Sequence, residues 1–267
     1  MFAFREYCRA QSLQEAWELY QKKQNRVAGG MLWLRQTAGS FHTLIDLSDL
    51  GLEGIQETET ELRIGAMTTL RQLETDGTLR RLYGGAVKEA LRHIVGVQFR
   101  NMATVGGSLA GSCGFSDVLT LFLALGTEAE LYKGGRMPLR DYAAQKRDRD
   151  ILTGVILPKN GTRVVYQSVR ANATDFPILA VAAARRRDGS FAAAVGARPG
   201  RAVLAEDTEH ILRPGTPVTE ESAAAFAESV AARLTFGSNT RGSAAYREHL
   251  CRVLVRRGVL ALEGGTA

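Results

Sequence analysis

The sequence predicts an α+β chain: a small α/β unit, a second α+β unit, and a final segment of separate character beginning near residue 165. Three observations predict it. Capped amphipathic helices alternate with short apolar runs at the start, hairpin-like strand pairs follow, and the last hundred or so residues carry their own strands and two long helical patterns. Two diglycine turns, Gly29-Gly30 and Gly106-Gly107, punctuate the first two units.

Ser12-Leu13-Gln14-Glu15 fits a capping box, so a helix is expected to run to about Lys23, with Leu13, Ala16, Trp17 and Tyr20 at helical spacing. A short strand at Arg26–Ala28, the first glycine loop, a short helix and a strand through Thr43–Leu47 complete this unit. From Leu52 to Gly65 the pattern becomes hairpin-like, and Thr68 or Thr69 caps another helix. A helix from about Ala86 to Val95 leads to the second glycine loop, and another starts near Asp117. Glu128–Tyr132, Ile151–Leu157 and Arg163–Val169 read as strands, broken by Gly134-Gly135 and by Pro158–Gly161. Beyond them come a strand at Phe191–Val195, a helix from Thr219 to Leu234 and a terminal helix from Gly242 to about Leu262. Tyr246, Leu250, Val253 and Leu254 are expected to share a face of that last helix, arginines the remainder.

Length and composition set limits. A chain of 267 residues, 45% apolar and 23% charged, can build one large or a few smaller globular cores. The start of the chain is charged at once, and no run approaches the roughly 20 apolar residues that cross a bilayer. A cytoplasmic location with no membrane partner is therefore expected. The net charge of +6 is spread along the chain and aromatics are 7%, so no basic stripe with stacking rings points to nucleic acid. Arg185-Arg186-Arg187 and the Arg252 to Arg257 cluster read as solvated faces or docking surfaces for an acidic partner. Cys8, Cys113 and Cys251 lie far apart and the four histidines are scattered, so no metal site and no nucleophile-base arrangement emerges.

The glycine loops carry the chemistry. Thr104-Val105-Gly106-Gly107-Ser108 with Asp117 downstream brings together backbone donors, a small hydroxyl and a carboxylate; Gly29-Gly30 lies where a strand ends and a helix begins. Glycine lets the main chain approach a diphosphate, and unpaired amides at a helix entrance bind anions without a lysine. Asp117 would accept from a sugar hydroxyl, a carboxylate being repelled by phosphate. It could equally cap the helix that follows. Two such loops facing one ligand suggest a dinucleotide, although either pair alone reads as a simple turn in a chain with 28 glycines.

With these residues in place the chain resembles the FAD-binding medium subunit of molybdenum hydroxylases, the group of xanthine dehydrogenase and carbon monoxide dehydrogenase. Ala28-Gly29-Gly30 and the apolar run after it resemble that family's first flavin loop, and Arg100 to Ser108 with Asp117 its second. Thr240 to Arg247 and the helix beyond resemble its C-terminal signature. The resemblance implies a two-lobed FAD-binding domain of the PCMH or vanillyl-alcohol-oxidase type over residues 1–165, with lobes of about 1–55 and 56–165, and a small α+β C-terminal domain over 166–267. By position it assigns Arg26, Val27, Ala28, Gly29, Gly30, Met31, Leu32 and Trp33 to wrap the pyrophosphate. Thr104, Gly106, Gly107 and Ser108 complete that site, Asp117 takes a sugar hydroxyl, Ile94 and Leu152 lie near the rings, and Gln167 stands where some relatives carry a lysine.

Three departures stand out: Met31 and Leu32 follow Gly30 where threonine and a polar residue are usual, Ser108 replaces asparagine, and Gly114-Phe115 replaces a proline-containing turn. The resemblance further implies an electron-exit module with no catalytic acid, base or nucleophile. Its partners would be a molybdenum-cofactor large subunit and a 2Fe–2S small subunit, and its acceptor NAD or another oxidant. A self-contained flavin oxidoreductase would need a polar substrate pocket, which does not stand out. The non-enzymatic alternative is a flavin-free scaffold subunit, for which the missing polar residues after Gly30 speak.

Overall fold

Local signals start most of the elements in the computed structural model, which describes residues 2–145 and 148–264. Strand β1 (Phe2–Arg9) precedes helix α1 (Leu13–Gln21). Ser12 caps α1, accepting from the Glu15 amide at 3.1 Å, while the Glu15 carboxylate accepts from the Gln11 amide at 2.7 Å, one residue further out than an ordinary capping box. Strands β2 (Arg26–Ala28) and β3 (Gly39–Asp46) follow, and β3 lies between β1 and β2 in a parallel three-stranded sheet. Ala16, Ile45, Leu47, Leu52 and Ile151 bury its helix-facing side, with Trp17 and Val27 packed against them.

Next come β4 (Ile55–Glu57), β5 (Glu61–Gly65), α2 (Leu70–Thr75), α3 (Gly77–Tyr83), α4 (Ala86–Leu91), α5 (Val97–Arg100), α6 (Val105–Ala110) and α7 (Asp117–Ala124). Thr69 is the residue that caps α2, accepting from the Gln72 amide at 3.2 Å. The helix expected over 86–95 is shorter and is preceded by α3, the two being separated at Gly84, whose φ of +59° only glycine adopts readily. Then β6 (Glu128–Leu131), β7 (Gly135–Pro138), α8 (Leu139–Ala144) and β8 (Leu152–Pro158) complete a five-stranded sheet of order β4-β5-β8-β6-β7.

The remainder is β9 (Arg163–Val169), β10 (Leu179–Arg185), β11 (Phe191–Gly196), β12 (Val203–Glu206), α9 (Glu220–Ala232) and α10 (Ala244–Glu263). The four strands form an antiparallel sheet with β10 and β11 at its centre. Both central strands are alanine-rich and buried throughout their middles, because α7 packs against them and α10 also packs against them. Alanine is a poor strand former, so β10 has no clear sequence signature.

By contacts the chain divides into two compact units: residues 1–72, 97–112 and 127–157, and residues 73–96, 113–126 and 158–267. In this division by contacts, α3, α4 and α7 cluster with the C-terminal sheet. Among the described residues no helix is long and apolar enough to cross a membrane.

Helix α10 corrects one expectation. Its buried face is Arg247, Leu250, Cys251 and Leu254, whereas Tyr246 is 43% exposed. Arg247 is 1% exposed and its guanidinium donates to four oxygens: Ile178 O at 2.9 Å, Gly237 O at 2.7 Å, Gly242 O at 2.5 Å and Asn239 Oδ1 at 2.7 Å. Arg185, Arg186 and Arg252, which read as solvated, pair with Glu263, Glu206 and Glu228.

Arg247→Lys keeps the charge and loses the planar fork, so it should lower unfolding free energy by about 2–3 kcal/mol in urea titrations, while Arg256→Ala should stay within about 0.5 kcal/mol. Burial pushes the Cys251 thiol up to about 12. In the folded protein a thiol-alkylating reagent should therefore label the partly exposed Cys113 and leave Cys251 unmodified until denaturant is added, as peptide mass spectrometry would read directly.

Candidate functional site

The two glycine turns interlock within the first unit. The first begins where β2 ends at Ala28; the second is the entrance to α6, capped by Thr104, whose hydroxyl accepts from the Gly107 amide at 3.1 Å. A Cβ placed on Gly30 would lie 1.7 Å from the Met102 carbonyl oxygen, and one on Gly29 would lie 2.6 Å from Thr104 Oγ1. Gly106 is closed in the same way, its hypothetical Cβ meeting Ala66 at 2.8 Å. Three of the four glycines are thus required by close packing, Gly30 and Gly106 against backbone and Gly29 against the Thr104 hydroxyl. Gly107 differs: it is exposed, and only Thr104 Oγ1, at 3.0 Å, comes within contact of a Cβ there.

Amide usage also differs between the turns. The Val105 amide donates to Thr68 O at 2.9 Å, Gly106 to Ala66 O at 2.7 Å and Ser108 to Thr104 O at 3.0 Å. The donors at the entrance of α6 are therefore already engaged by the protein, contrary to the expectation that both turns offer amides to a ligand. In the first turn, the amides of Gly30, Met31 and Leu32 have no acceptor among the described residues. Met31 has a φ of +62°, uncommon outside glycine, which places it in the left-handed region at the point where successive amides can turn toward one anion. The residues fit a diphosphate: a run of main-chain donors with no acceptor among the described residues stands near an exposed glycine at which a Cβ would press only on Thr104 Oγ1.

The other candidates of this unit serve as supports. Arg26 donates to Lys23 O at 2.7 Å and Asn25 O at 2.9 Å, with its guanidinium 4.5 Å from the Phe41 ring centroid. Val27 packs into the core and Ala28 is buried. Leu152 is buried in β8 opposite Leu131. Trp33 stacks at a tilt on Phe99, centroids 4.9 Å apart.

Ile94, Asp117 and Gln167 belong to the second unit. Ser116, not Asp117, is the N-cap of α7, accepting from the Leu119 amide at 3.2 Å. Asp117 is 4% exposed, and its Oδ1 accepts from the Tyr166 hydroxyl and from Arg170 Nη2 at 2.7 Å. Arg170 also donates to Ser168 Oγ at 3.1 Å and to Asp175 O at 2.6 Å. Burial pushes the Asp117 carboxyl up against the opposing pull of Arg170, and burial with the neighbouring carboxylate pushes the Tyr166 phenol well above its usual range. Gln167 lies between Tyr166 and Arg170 in sequence, so strand alternation turns it to the opposite face, the side on which Val165 and Val169 meet the helical core. Its Oε1 is buried with no hydrogen-bond partner among the described residues. The structure therefore does not bring Asp117 and Gln167 together. Met102, Phe99, Tyr166 and Arg170 went unpredicted, and no local pattern in β9 (Arg163–Val169) marks the last two.

Comparison with known proteins places this geometry in a family. Residues 2–160 match the FAD binding domain in molybdopterin dehydrogenase, and residues 164–262 match the CO dehydrogenase flavoprotein C-terminal domain. The chain is 30% identical to the carbon monoxide dehydrogenase medium chain of Afipia carboxidovorans over 81% of this chain and 80% of that one. It is 27% identical to the nicotine 6-hydroxylase medium subunit of Paenarthrobacter nicotinovorans, covering 95% of each. Reconstituted CO dehydrogenase from Oligotropha carboxidovorans superposes with a TM-score of 0.83 at 27% identity, over 97% of this chain and 96% of that one. Carbon monoxide dehydrogenase from Hydrogenophaga pseudoflava shares the fold with a TM-score of 0.85 at 24% identity, over 95% of each chain. With two interlocked glycine turns, both domain models matched in order and relatives that align along most of their length, the chain belongs to the FAD-binding medium subunits of the molybdenum hydroxylase family, and its cofactor is FAD.

Proposed function

We propose that this chain is the electron-exit subunit of a molybdenum hydroxylase complex, holding FAD between an iron–sulfur donor and a soluble acceptor, with NAD as the preferred acceptor. The observation that carries the reading is the interlock of the two glycine turns, which leaves the amides of Gly30, Met31 and Leu32 without acceptors among the described residues, near the exposed Gly107. These groups would hold the diphosphate. Thr104 and Ser108 support that cradle from the second turn, and Arg26, Val27 and Ala28 set its position through β2. When bound, the flavin accepts electrons from one-electron donors and can deliver them as a pair. The protein's part is position and field, so no side chain is needed as acid, base or nucleophile.

The partners in this reading are a molybdenum-cofactor large subunit and a 2Fe–2S small subunit. Among the described residues no group of three or more histidine, cysteine or acidic side chains is gathered to hold a metal ion. A cytoplasmic location accords with a nicotinamide acceptor. Asp117 enters the reading as the anchor of Arg170, its Oδ1 being already shared with Tyr166. Leu152, in the same unit as the two turns, enters as an apolar neighbour of the ring system.

Coexpression with the neighbouring subunits should yield a complex with a flavin band near ~450 nm that bleaches on addition of the substrate and recovers on addition of NAD⁺. Recovery with oxygen or a quinone but not with NAD⁺ would remove the nicotinamide part of the reading. Absence of bleaching in a complete complex would remove the electron-exit role.

The two turns also predict two different failures. Gly30→Ala drives a methyl into the Met102 carbonyl and should destabilise the fold by about 2–3 kcal/mol. Gly107→Val places a branched side chain in the cradle, its Cβ meeting only Thr104 Oγ1 at 3.0 Å, and should lower the melting temperature of the apoprotein less than Gly30→Ala does while FAD is lost on gel filtration. Flavin retained at the wild-type ratio in the valine variant would contradict the cradle.

A further inference from the structure

The turn between β8 and β9 carries chemistry that the flavin reading does not use. Of the five asparagines in the sequence only Asn160 is followed by glycine, and Asn160 and Gly161 are both exposed. The Gly161 amide has no acceptor among the described residues, and without a Cβ its nitrogen is unshielded. Two donors converge on Asn160 Oδ1: the Thr162 amide at 3.1 Å and the Thr162 hydroxyl at 2.7 Å. That oxygen gains negative charge when a nucleophile adds to Asn160 Cγ, so the two donors stand where an oxyanion hole would place them. Thr162 is itself buried, which holds both in position. Lys159 precedes the pair, and the stem of Arg187 lies 3.7 Å from where a Cβ on Gly161 would stand. Positive charge on both sides favours loss of a proton from the amide between them.

We propose that Thr162 primes Asn160 for deamidation by the Gly161 amide, which makes the β8–β9 turn a site of spontaneous covalent modification. The Gly161 nitrogen gives its proton to solvent and adds to Asn160 Cγ. A new N–Cγ bond forms, the Cγ–Nδ2 bond breaks, and ammonia leaves with a proton from water. The resulting succinimide takes up one water at either carbonyl, giving aspartate or isoaspartate; nothing is oxidised or reduced. Asparagine is thermolabile as a class, and this turn concentrates that lability at one position. Asn25 is buried, and the Asn239 side chain is held by Arg247. Asn172 is exposed, but alanine follows it and its Nδ2 donates to Asp175. The product places a carboxylate beside Lys159 and Arg187, and the isoaspartyl form lengthens the main chain where β8 passes into β9. None of this depends on flavin or on a partner subunit.

The test incubates the full chain in mildly alkaline buffer and follows each asparagine by peptide mass spectrometry, with an isoaspartyl methyltransferase as the probe for the rearranged product. Asn160 should convert at least as fast as it does in a free peptide of the same sequence, while Asn172 stays intact. Thr162→Val keeps the shape and removes the hydroxyl donor, so it should slow conversion by about tenfold, and Thr162→Ser should recover most of the rate. Circular dichroism should show both variants folded. Asn160→Gln should abolish conversion in the turn, because the longer side chain cannot close the five-membered ring. An Asn160 that stays intact in the folded chain while the peptide converts overturns the site. Conversion of a folded Thr162→Val variant at the wild-type rate overturns the role of Thr162, and equal conversion at Asn172 overturns the selectivity.

Discussion

The contact of Gly30 with the Met102 carbonyl is the constraint on which the site depends. At that separation no side chain can exist on residue 30, and the neighbouring approach of Gly29 to Thr104 Oγ1 repeats the restriction. Two loops far apart in sequence are thereby fixed to each other through main chain, with no long side chain to bend or swing. Rigidity of this kind suits an anion site, because backbone donors held in place lose little freedom when a diphosphate arrives. It also explains the division of labour between the loops. The amides at the entrance of α6 are spent on Ala66 and Thr68, which lock the second turn onto the chain preceding α2, and the amides of Gly30, Met31 and Leu32 in the first turn have no acceptor among the described residues.

The second unit is organised by buried charge. Arg247 gathers carbonyls from Ile178, Gly237 and Gly242, so the turn before α10 and the start of β10 are tied to one guanidinium. Arg170 does the same on a smaller scale, joining Asp117 on α7 to Ser168 and to the Asp175 carbonyl. A buried guanidinium is costly unless its donors are met, and both are met by several oxygens. The alanine-rich centre of the sheet is the counterpart of these anchors: small side chains on β10 and β11 let helices approach closely, as where Gly258 meets the Ala183 methyl. Close approach gives dispersion contacts, and the arginines fix register.

Much of this was legible in the sequence where a local device carries the information. The capping hydroxyls of Ser12, Thr69, Thr219 and Ser243, the strands Arg26–Ala28 and Arg163–Val169, and both glycine turns follow from residue type and spacing. What escaped was set by distant partners. Strand β1 is exposed along most of its length and shows no alternation, and β10 is rich in alanine, the strongest helix former. Arg247 looked like one of several surface arginines because nothing local reveals that three carbonyls converge on it. For Asp117, spacing allowed a cap or a sugar ligand; the observed partners, Tyr166 and Arg170, lie some fifty positions onward and leave no local trace.

The same distinction explains why substitution after Gly30 does not argue against FAD. A site that recognises phosphate by side-chain hydroxyls is erased when those hydroxyls become Met31 and Leu32. A site that recognises it by amides depends on backbone shape, which is set here by glycine packing and by the left-handed Met31. Shape survives a change of side chain so long as the new residue tolerates the same φ, and the φ of +62° at Met31 is one that threonine, branched at Cβ, resists more strongly than methionine. The departure from the usual pair is therefore compatible with a cradle built from main chain. Family membership and an unusual loop sequence then cease to conflict, since they concern different atoms of the same residues.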